Sequence, residues 1–324
     1  MLNFILLKLL LYLCSRNFAF MQLNRKILGH IAALLTVIVW GSTFVFTKLL
    51  LLAGLSPAQI FTLRFVIAYV LLLAFSLAQR QKRGFRWLSD NWKDELLMVG
   101  LGIAGGSLYF LAENEAMNHT TTTNTSLIVC LTPLFAAALI SCFYKSERLR
   151  PSQVLGTMLA AVGVVIVVLN GHFVLHLSPL GDSLAFVACL CWAVYSLLMI
   201  RANSRYDVVF ITRKVFFYGL LSMIPYYVFV PEGIPSMSLL LKPEILANLL
   251  FLGFVASMLC FVVWNWAMKQ IGTVTTTNYV YINPLTTIVF AWLLLDETIT
   301  IYFLFGTALI LVGMYLADRK PMRS

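Results

Sequence analysis

The chain has 324 residues, of which 61% are hydrophobic and only 11% charged, with a mean hydropathy of +0.91. A soluble domain carries roughly 25% charged residues, so an ordinary water-soluble fold is excluded: one core cannot hide this much apolar surface. The net charge of +10 comes from basic residues in short gaps between apolar runs, not from a polar domain with stacking aromatics, so nucleic acid is not the expected partner and the lipid bilayer is.

Helices that cross about 30 Å of hydrocarbon need about 20 apolar residues. Breaking the chain at charged and Pro/Gly/Asn clusters gives ten such segments, near 28–52, 57–79, 95–118, 122–144, 152–169, 180–200, 207–230, 245–268, 274–295 and 300–317. Runs such as Leu155 to Leu169 are apolar on every face and show no alternation of period two, which makes them helices and not barrel strands. The expected class is an all-α integral membrane protein.

Before the first span, residues 1–27 form an apolar lead-in too short to span and without a small-residue cleavage site. We read it as an over-extended start before Met21, or else as an interfacial segment. With the amino terminus in the cytoplasm, alternate gaps hold sixteen basic residues: Arg25, Lys26, Arg80, Lys82, Arg83, Arg86, Lys93, Lys145, Arg148, Arg150, Arg201, Arg205, Lys269, Arg319, Lys320 and Arg323. The remaining gaps hold Lys242 alone. This asymmetry places both termini in the cytoplasm of a multi-pass protein of the inner membrane, the carboxyl end as a short tail over 319–324.

A self-match near 150 residues divides the spans into two sets of five. Ala116-Met117 matches Ala267-Met268 and Pro133-Leu134 matches Pro284-Leu285, while Glu147, Gly156 and Gly163 match Glu297, Gly306 and Gly313. Trp40 and Arg64 match Trp192 and Arg213 in the same order. Five is odd, so the second set, 178–318, enters the membrane from the side opposite to the first, 28–170. Such inverted repeats are how secondary transporters build two access states around one central site.

The Trp40-Gly41-Ser42-Thr43-Phe44 opening, Arg64, Pro133, and Glu147 with Gly156 and Gly163 resemble the EamA branch of the drug/metabolite transporter superfamily, over residues 28 to 318. The resemblance implies a ten-helix bundle whose central cavity is lined chiefly by the first, third, fourth, sixth, eighth and ninth helices and takes small metabolites. The second copy departs from the pattern at Ala193, which follows Trp192 where the first copy has Gly41.

Ionisable groups within spans are expensive and default to function. Glu113 is the foremost, roughly 7 Å inside the boundary at 1.5 Å per residue; it reaches the depth of Lys48 and Arg64, either of which is a candidate ion-pair partner. Glu115 is two residues on and faces elsewhere. Asn114 and its repeat partner Asn265 are neutral hydrogen-bonding groups for a substrate or a neighbouring helix. Trp264 replaces Glu113 in the second half and, with Trp40, offers an aromatic wall. Thr-rich starts at Thr120 to Thr125 and Thr275 to Asn278 make Thr125 and Asn278 candidate pathway residues, and Pro133 and Pro284 interrupt the corresponding spans. Gly102 and Gly106 read as close-packing positions, and Glu147 and Glu297 as helix caps.

No cofactor is expected: the six cysteines and four histidines lack metal-ligand spacing, His172 and His176 included, and no GxxxxGK[ST] loop supports ATP-driven transport. The expected function is a secondary transporter, an exporter of a small metabolite such as an amino acid or nucleobase, working by alternating access on a proton or substrate gradient as a monomer or homodimer. The alternatives are multidrug efflux, a membrane-embedded enzyme, for which no nucleophile and base cluster, and a lipid-binding subunit without turnover.

Overall fold

The computed structural model describes residues 25–79, 85–120, 122–144, 151–169, 178–230, 232–295 and 301–318. Most of the lead-in with Met21, the tail 319–324, and Glu147, Glu297, His172 and His176 lie outside the described residues. Within them the chain forms ten membrane-crossing helical segments and no strand. These are α1 (Arg25–Leu52), α2 (Pro57–Ala78), α3 (Trp92–His119), α4 (Thr122–Val129 continuing as Thr132–Phe143) and α5 (Pro151–Leu169). The second set is α6 (Pro179–Arg205), α7 (Val208–Phe229), α8 (Pro243–Ile271), α9 (Thr273–Asn278, Tyr279–Ile282 and Asn283–Leu295) and α10 (Ile301–Asp318).

The helix starts are written in the sequence. Ser56 caps α2 through a reciprocal bond pair with Gln59, and Pro57 fills the first turn, where its missing N–H costs nothing. Asn91 caps α3, whose first turn carries Asp94 and Glu95 against the positive end of the helix dipole. Ser178 and Asp207 cap α6 and α7 in the same manner. We call the side of the molecule with loop 85–91, Tyr206 and Gly272 the basic face.

Two boundaries differ from the sequence expectation. Helix α6 runs to Arg205 instead of ending near 200, because Arg201 and Arg205 find an acidic partner in its last turns and so need not lie in a solvated gap. Helix α7 is interrupted at Ser222 and Met223, just before Pro225, whose ring excludes the preceding turn's hydrogen bond.

The repeat is visible in how the helices pack. Helix α1 lies against α8 and α9, and its counterpart α6 lies against α3 and α4; α2 meets α8 as α7 meets α3. The clearest sign is the α5 to α10 contact. A Cβ added at Gly156 would lie 2.4 Å from the Gly313 carbonyl oxygen, and one at Gly163 would lie 2.7 Å from that of Gly306. Each glycine of one copy thus meets the other glycine's repeat mate, which requires the two helices to run antiparallel and the repeats to be inverted. Only residues without a Cβ allow backbones this close.

The helix interruptions also obey the repeat. A π-helical stretch at Ile103–Ser107 in α3 corresponds to one at Phe251–Leu259 in α8. The break at Cys130 and Leu131 before Pro133 corresponds to the 3-10 turn Tyr279–Ile282 before Pro284. Such irregular backbone is tolerated inside a membrane protein where it is buried in the bundle or lines a cavity.

Candidate functional site

The interruptions surround a central cavity between the repeats. It is lined by Trp40, Thr43 and Phe44 of α1, Arg64 of α2, Tyr109, Phe110 and Glu113 of α3, Val129 and Thr132 of α4, Trp192 of α6, and Val280 and Asn283 of α9. Its volume of about 30 Å³ holds about two waters at 10–15 Å³ each, so admitting a metabolite requires the walls to part. Helix α2 joins the lining through Arg64, whereas α8, which the family resemblance counts among the walls, puts Phe261 and Trp264 beneath the cavity.

Two buried charges of opposite sign face this space. Arg64 is 1% exposed and Glu113 is 7% exposed. They are not in ionic contact, for each is held by another group. Arg64 donates its Nε proton to Ser257 Oγ at 2.9 Å and lays its guanidinium over Phe110, 4.3 Å from the ring centre. Glu113 Oε1 accepts from the Tyr109 hydroxyl, one helical turn earlier, at 2.7 Å. Ser257 lies in the π-helical stretch of α8, and so does Ala256, whose carbonyl accepts the Trp40 indole N–H at 2.9 Å. The π-stretch therefore positions both a cation and an indole of the cavity wall, a recurrent use of this backbone feature.

Two further polar atoms of the wall have no hydrogen-bond partner among the described residues, the Trp192 indole nitrogen and the Asn283 side-chain oxygen. Buried polar groups left unpaired are rare in native proteins, and a donor and an acceptor here share a wall with a guanidinium and a carboxylate.

Between the cavity and the basic face lies a thick aromatic floor. Trp40 stacks edge-on against Trp192 with ring centres 5.2 Å apart and tilts against Trp264 at 4.9 Å; Trp192 packs on Tyr195 at 4.9 Å. Below it, Asn265 Oδ1 accepts from the Tyr195 hydroxyl at 2.8 Å, its Nδ2 donates to Thr212 Oγ1 at 3.1 Å, and its backbone oxygen accepts from Asn203 at 3.3 Å. Gly105 makes this floor possible: a Cβ there would lie 2.2 Å from the Tyr195 ring.

An ionic layer closes the basic face itself. Asp94 in α3 takes Arg205 and Arg201 from α6, plus the Tyr206 hydroxyl at 3.0 Å and Asn91 Nδ2 at 3.0 Å. Its neighbour Glu95 takes Lys214 and the Tyr218 hydroxyl from α7 and the Ser89 amide. On the opposite face no salt bridge joins two helices among the described residues; Glu232 instead accepts from the hydroxyls of Ser56 and Tyr226, and Gln59 donates to the Gly233 carbonyl.

Of the residues singled out in the sequence, Trp40, Arg64 and Glu113 meet in the cavity. Lys48 donates to the Met117 carbonyl at 2.8 Å and does not reach Glu113. Glu115 faces outward to Asn118 and His119. Asn114 is wholly buried but turns to α2, donating to the Pro57 carbonyl at 3.3 Å. Trp264 and Asn265 belong to the floor, Thr125 is fully buried near the start of α4, and Asn278 lines a separate cleft among α1, α9 and α10. Pro133 and Pro284 sit at the first turn past each break. Tyr109, Thr132 and Asn283 are wall residues that the sequence reading passed over, and Trp192 entered it only as the repeat mate of Trp40. Tyr109 is one turn from Glu113, and Thr132 and Asn283 are repeat mates, so both signals were available.

The profile of the EamA-like transporter family matches residues 27–169 and 179–317. The chain is 29% identical over 296 residues to an "Uncharacterized transporter" of Archaeoglobus fulgidus, covering 90% of this chain and 97% of that one. It is 26% identical over 294 residues to a "Probable amino-acid metabolite efflux pump" of Escherichia coli, covering 88% and 93%. It is 24% identical over 296 residues to a "Probable terminal-alkyne amino-acid exporter" of Streptantibioticus cattleyicolor, covering 90% and 93%. One solved crystal structure superposes with a TM-score of 0.67 at 22% identity over 89% of this chain and 96% of that one, and so shares its fold.

Proposed function

We propose, from the premise that this chain belongs to the EamA-like transporter family and is a multi-pass membrane transporter and not an enzyme, that it exports a small zwitterionic metabolite of the amino-acid class. The observation that carries the reading is the pair Arg64 and Glu113, two buried and opposite charges that face one cavity without contacting each other. A free amino acid presents a carboxylate and an ammonium to that pair. The guanidinium offers a planar fork to the carboxylate, Glu113 takes the ammonium, and the side chain lies against Trp40, Trp192 and Phe110. The Trp192 N–H and the Asn283 oxygen supply a further donor and acceptor. Relatives named for amino-acid efflux and export support the class and the direction.

Transport proceeds by alternating access. The basic face, cytoplasmic by its excess of Lys and Arg, is sealed here by the aromatic floor and the ionic layer, and among the described residues no salt bridge between helices closes the other face. Inverted repeats make the converse arrangement accessible: the contacts of α3 with α6 and α7 at the basic face loosen as the corresponding contacts of α8 with α1 and α2 at the other face tighten. Glu113 exchanges its load for a proton on the return, which couples export to the proton gradient across the inner membrane.

A second reading, efflux of lipophilic cations, is favoured by the aromatic wall around Glu113, since rings and a carboxylate together attract cations. The two readings separate at Arg64, which a cation does not need. Counterflow of radiolabelled amino acids into proteoliposomes is the test: exchange that is saturable and lost in Arg64→Gln supports the zwitterion. Exchange of cationic dyes alone, unaffected by Arg64→Gln, overturns it.

A further inference from the structure

The repeat mate of Arg64 has a different fate. Arg213 on α7 is 5% exposed, yet among the described residues it makes no salt bridge, and its one side-chain hydrogen bond goes to the Arg86 carbonyl. Its guanidinium carbon lies 4.3 Å from the Phe85 ring centre and 5.6 Å from that of Phe210. A guanidinium carries five N–H donors, and a nearly buried cation without an acid is costly unless an anion answers it.

Arg213 lines a cleft of about 480 Å³ between α2 and α7 at the basic face, shared with Ser76, Gln79, Phe85 and Arg86. The one acid of its lining, Asp207, caps α7 by accepting the Val209 amide at 3.0 Å. Arg86 pairs with the half-exposed Asp90. In sequence, residues 80–84 are Arg-Gln-Lys-Arg-Gly and include no acid. Beside the cleft, Trp87, whose ring centre lies 6.0 Å from the Arg213 guanidinium carbon, is 59% exposed, as aromatic residues are at a membrane-water boundary.

A phosphate suits these groups: it takes the forked donors of Arg213 and the side-chain amide of Gln79, while the Ser76 hydroxyl stays with the Leu72 carbonyl at 2.7 Å. We propose that the α2 to α7 cleft is a binding site for a phosphate-bearing anion, and specifically for the headgroup of an anionic phospholipid of the leaflet at the basic face. The position at the boundary, the apolar wall formed by Phe75, Val209 and Phe210 and the exposed Trp87 favour a lipid over free phosphate, since basic clefts between helices on this side hold headgroups. The site is separate from the central cavity, with which it shares no lining residue.

Native mass spectrometry of the full chain in detergent tests this, with phosphatidylglycerol and phosphatidylcholine offered at equal concentration and inorganic phosphate as competitor. We expect preferential retention of one phosphatidylglycerol by about fivefold or more, the ratio one basic contact supplies, undisturbed by inorganic phosphate. Arg213→Gln abolishes the preference. Gln79→Glu, a same-sized change at a half-buried helix end, lowers it while leaving the melting temperature in phosphatidylcholine unchanged, and it decides the matter if Arg213→Gln does not fold. Equal retention of the two lipids, or a preference that survives Gln79→Glu and a folded Arg213→Gln, overturns the site. Displacement of the lipid by inorganic phosphate overturns the lipid assignment.

Discussion

Arg205 holds Asp94 with one nitrogen shared between both carboxylate oxygens, at 3.0 and 2.8 Å, across 111 residues of sequence. The bond ties the start of α3 to the end of α6, the same two helices whose middle turns carry Tyr109 and Trp192 in the cavity wall. Asp94 is 1% exposed in its side chain while both arginines are about half exposed, so its contribution to folding is screened by water and its role is chiefly to hold the basic face shut. Asp94→Asn should leave the protein folded and raise labelling of an Asn203→Cys reporter by a membrane-impermeant maleimide applied to the basic face. Unchanged labelling would show that the aromatic floor alone is the closure.

Glu113 is bonded to Tyr109 and not paired with a cation, so neutralising it does not strand a charge at contact distance. Glu113→Gln should therefore accumulate and melt as the parent does, while concentrative uptake into proteoliposomes falls at least about a hundredfold, the range expected when a buried charge contact to the load is lost. Glu115→Gln, at a side chain turned outward, should transport within about twofold of the parent, since exposed polar contacts are worth ~0–1 kcal/mol. Equal losses at the two positions would remove Glu113 from the pathway.

The spans, the repeat and the cavity charges were legible in the sequence because each rests on a local or periodic signal. Apolar runs fixed the ten helices, and the ordered matches Trp40 to Trp192 and Pro133 to Pro284 fixed the symmetry. The ionic layer was not legible: Arg201 and Arg205 read as loop charges that report topology, and nothing local ties them to Asp94. The π-helical stretches escaped for a related reason, since Gly102 and Gly106 mark only that neighbours come close and not that the backbone between them unwinds. Asn265 illustrates the limit of symmetry. It matches Asn114 in sequence, yet Tyr195 and Thr212 engage its amide at both the oxygen and the nitrogen, while the Asn114 side-chain oxygen has no partner among the described residues.

The glycine contact between α5 and α10 makes a stability prediction. Gly156→Leu sets side-chain atoms against the Gly313 carbonyl and Ala317 backbone, which cannot yield as a flexible side chain would. Overpacking of this kind costs about 1–3 kcal/mol, so the melting temperature in detergent should fall by several degrees. Gly233→Ala, with nothing within 4 Å of its added carbon, is the control and should melt as the parent does. Equal melting of the two variants would mean that the close approach is absent in the membrane.

Topology is open to a direct test. A fluorescent protein fused after Ser324 should mature and fluoresce, and a periplasmic phosphatase fused at the same place should be inactive. The reverse pattern would turn the basic face outward and exchange the roles of the two closures.

The α5 to α10 crossing has one more consequence. Exchanging the two repeats turns the Gly156 and Gly313 contact into the Gly306 and Gly163 contact, which is also present, so the crossing is its own image. When the halves trade conformations, a pair of non-equivalent helices such as α3 and α7 must trade geometry with its counterpart, α8 and α2, but this pair of repeat mates can keep its own. It can serve as a fulcrum, and chemically stapling α5 to α10 should spare turnover, whereas stapling α3 to α7 across the basic face should arrest it.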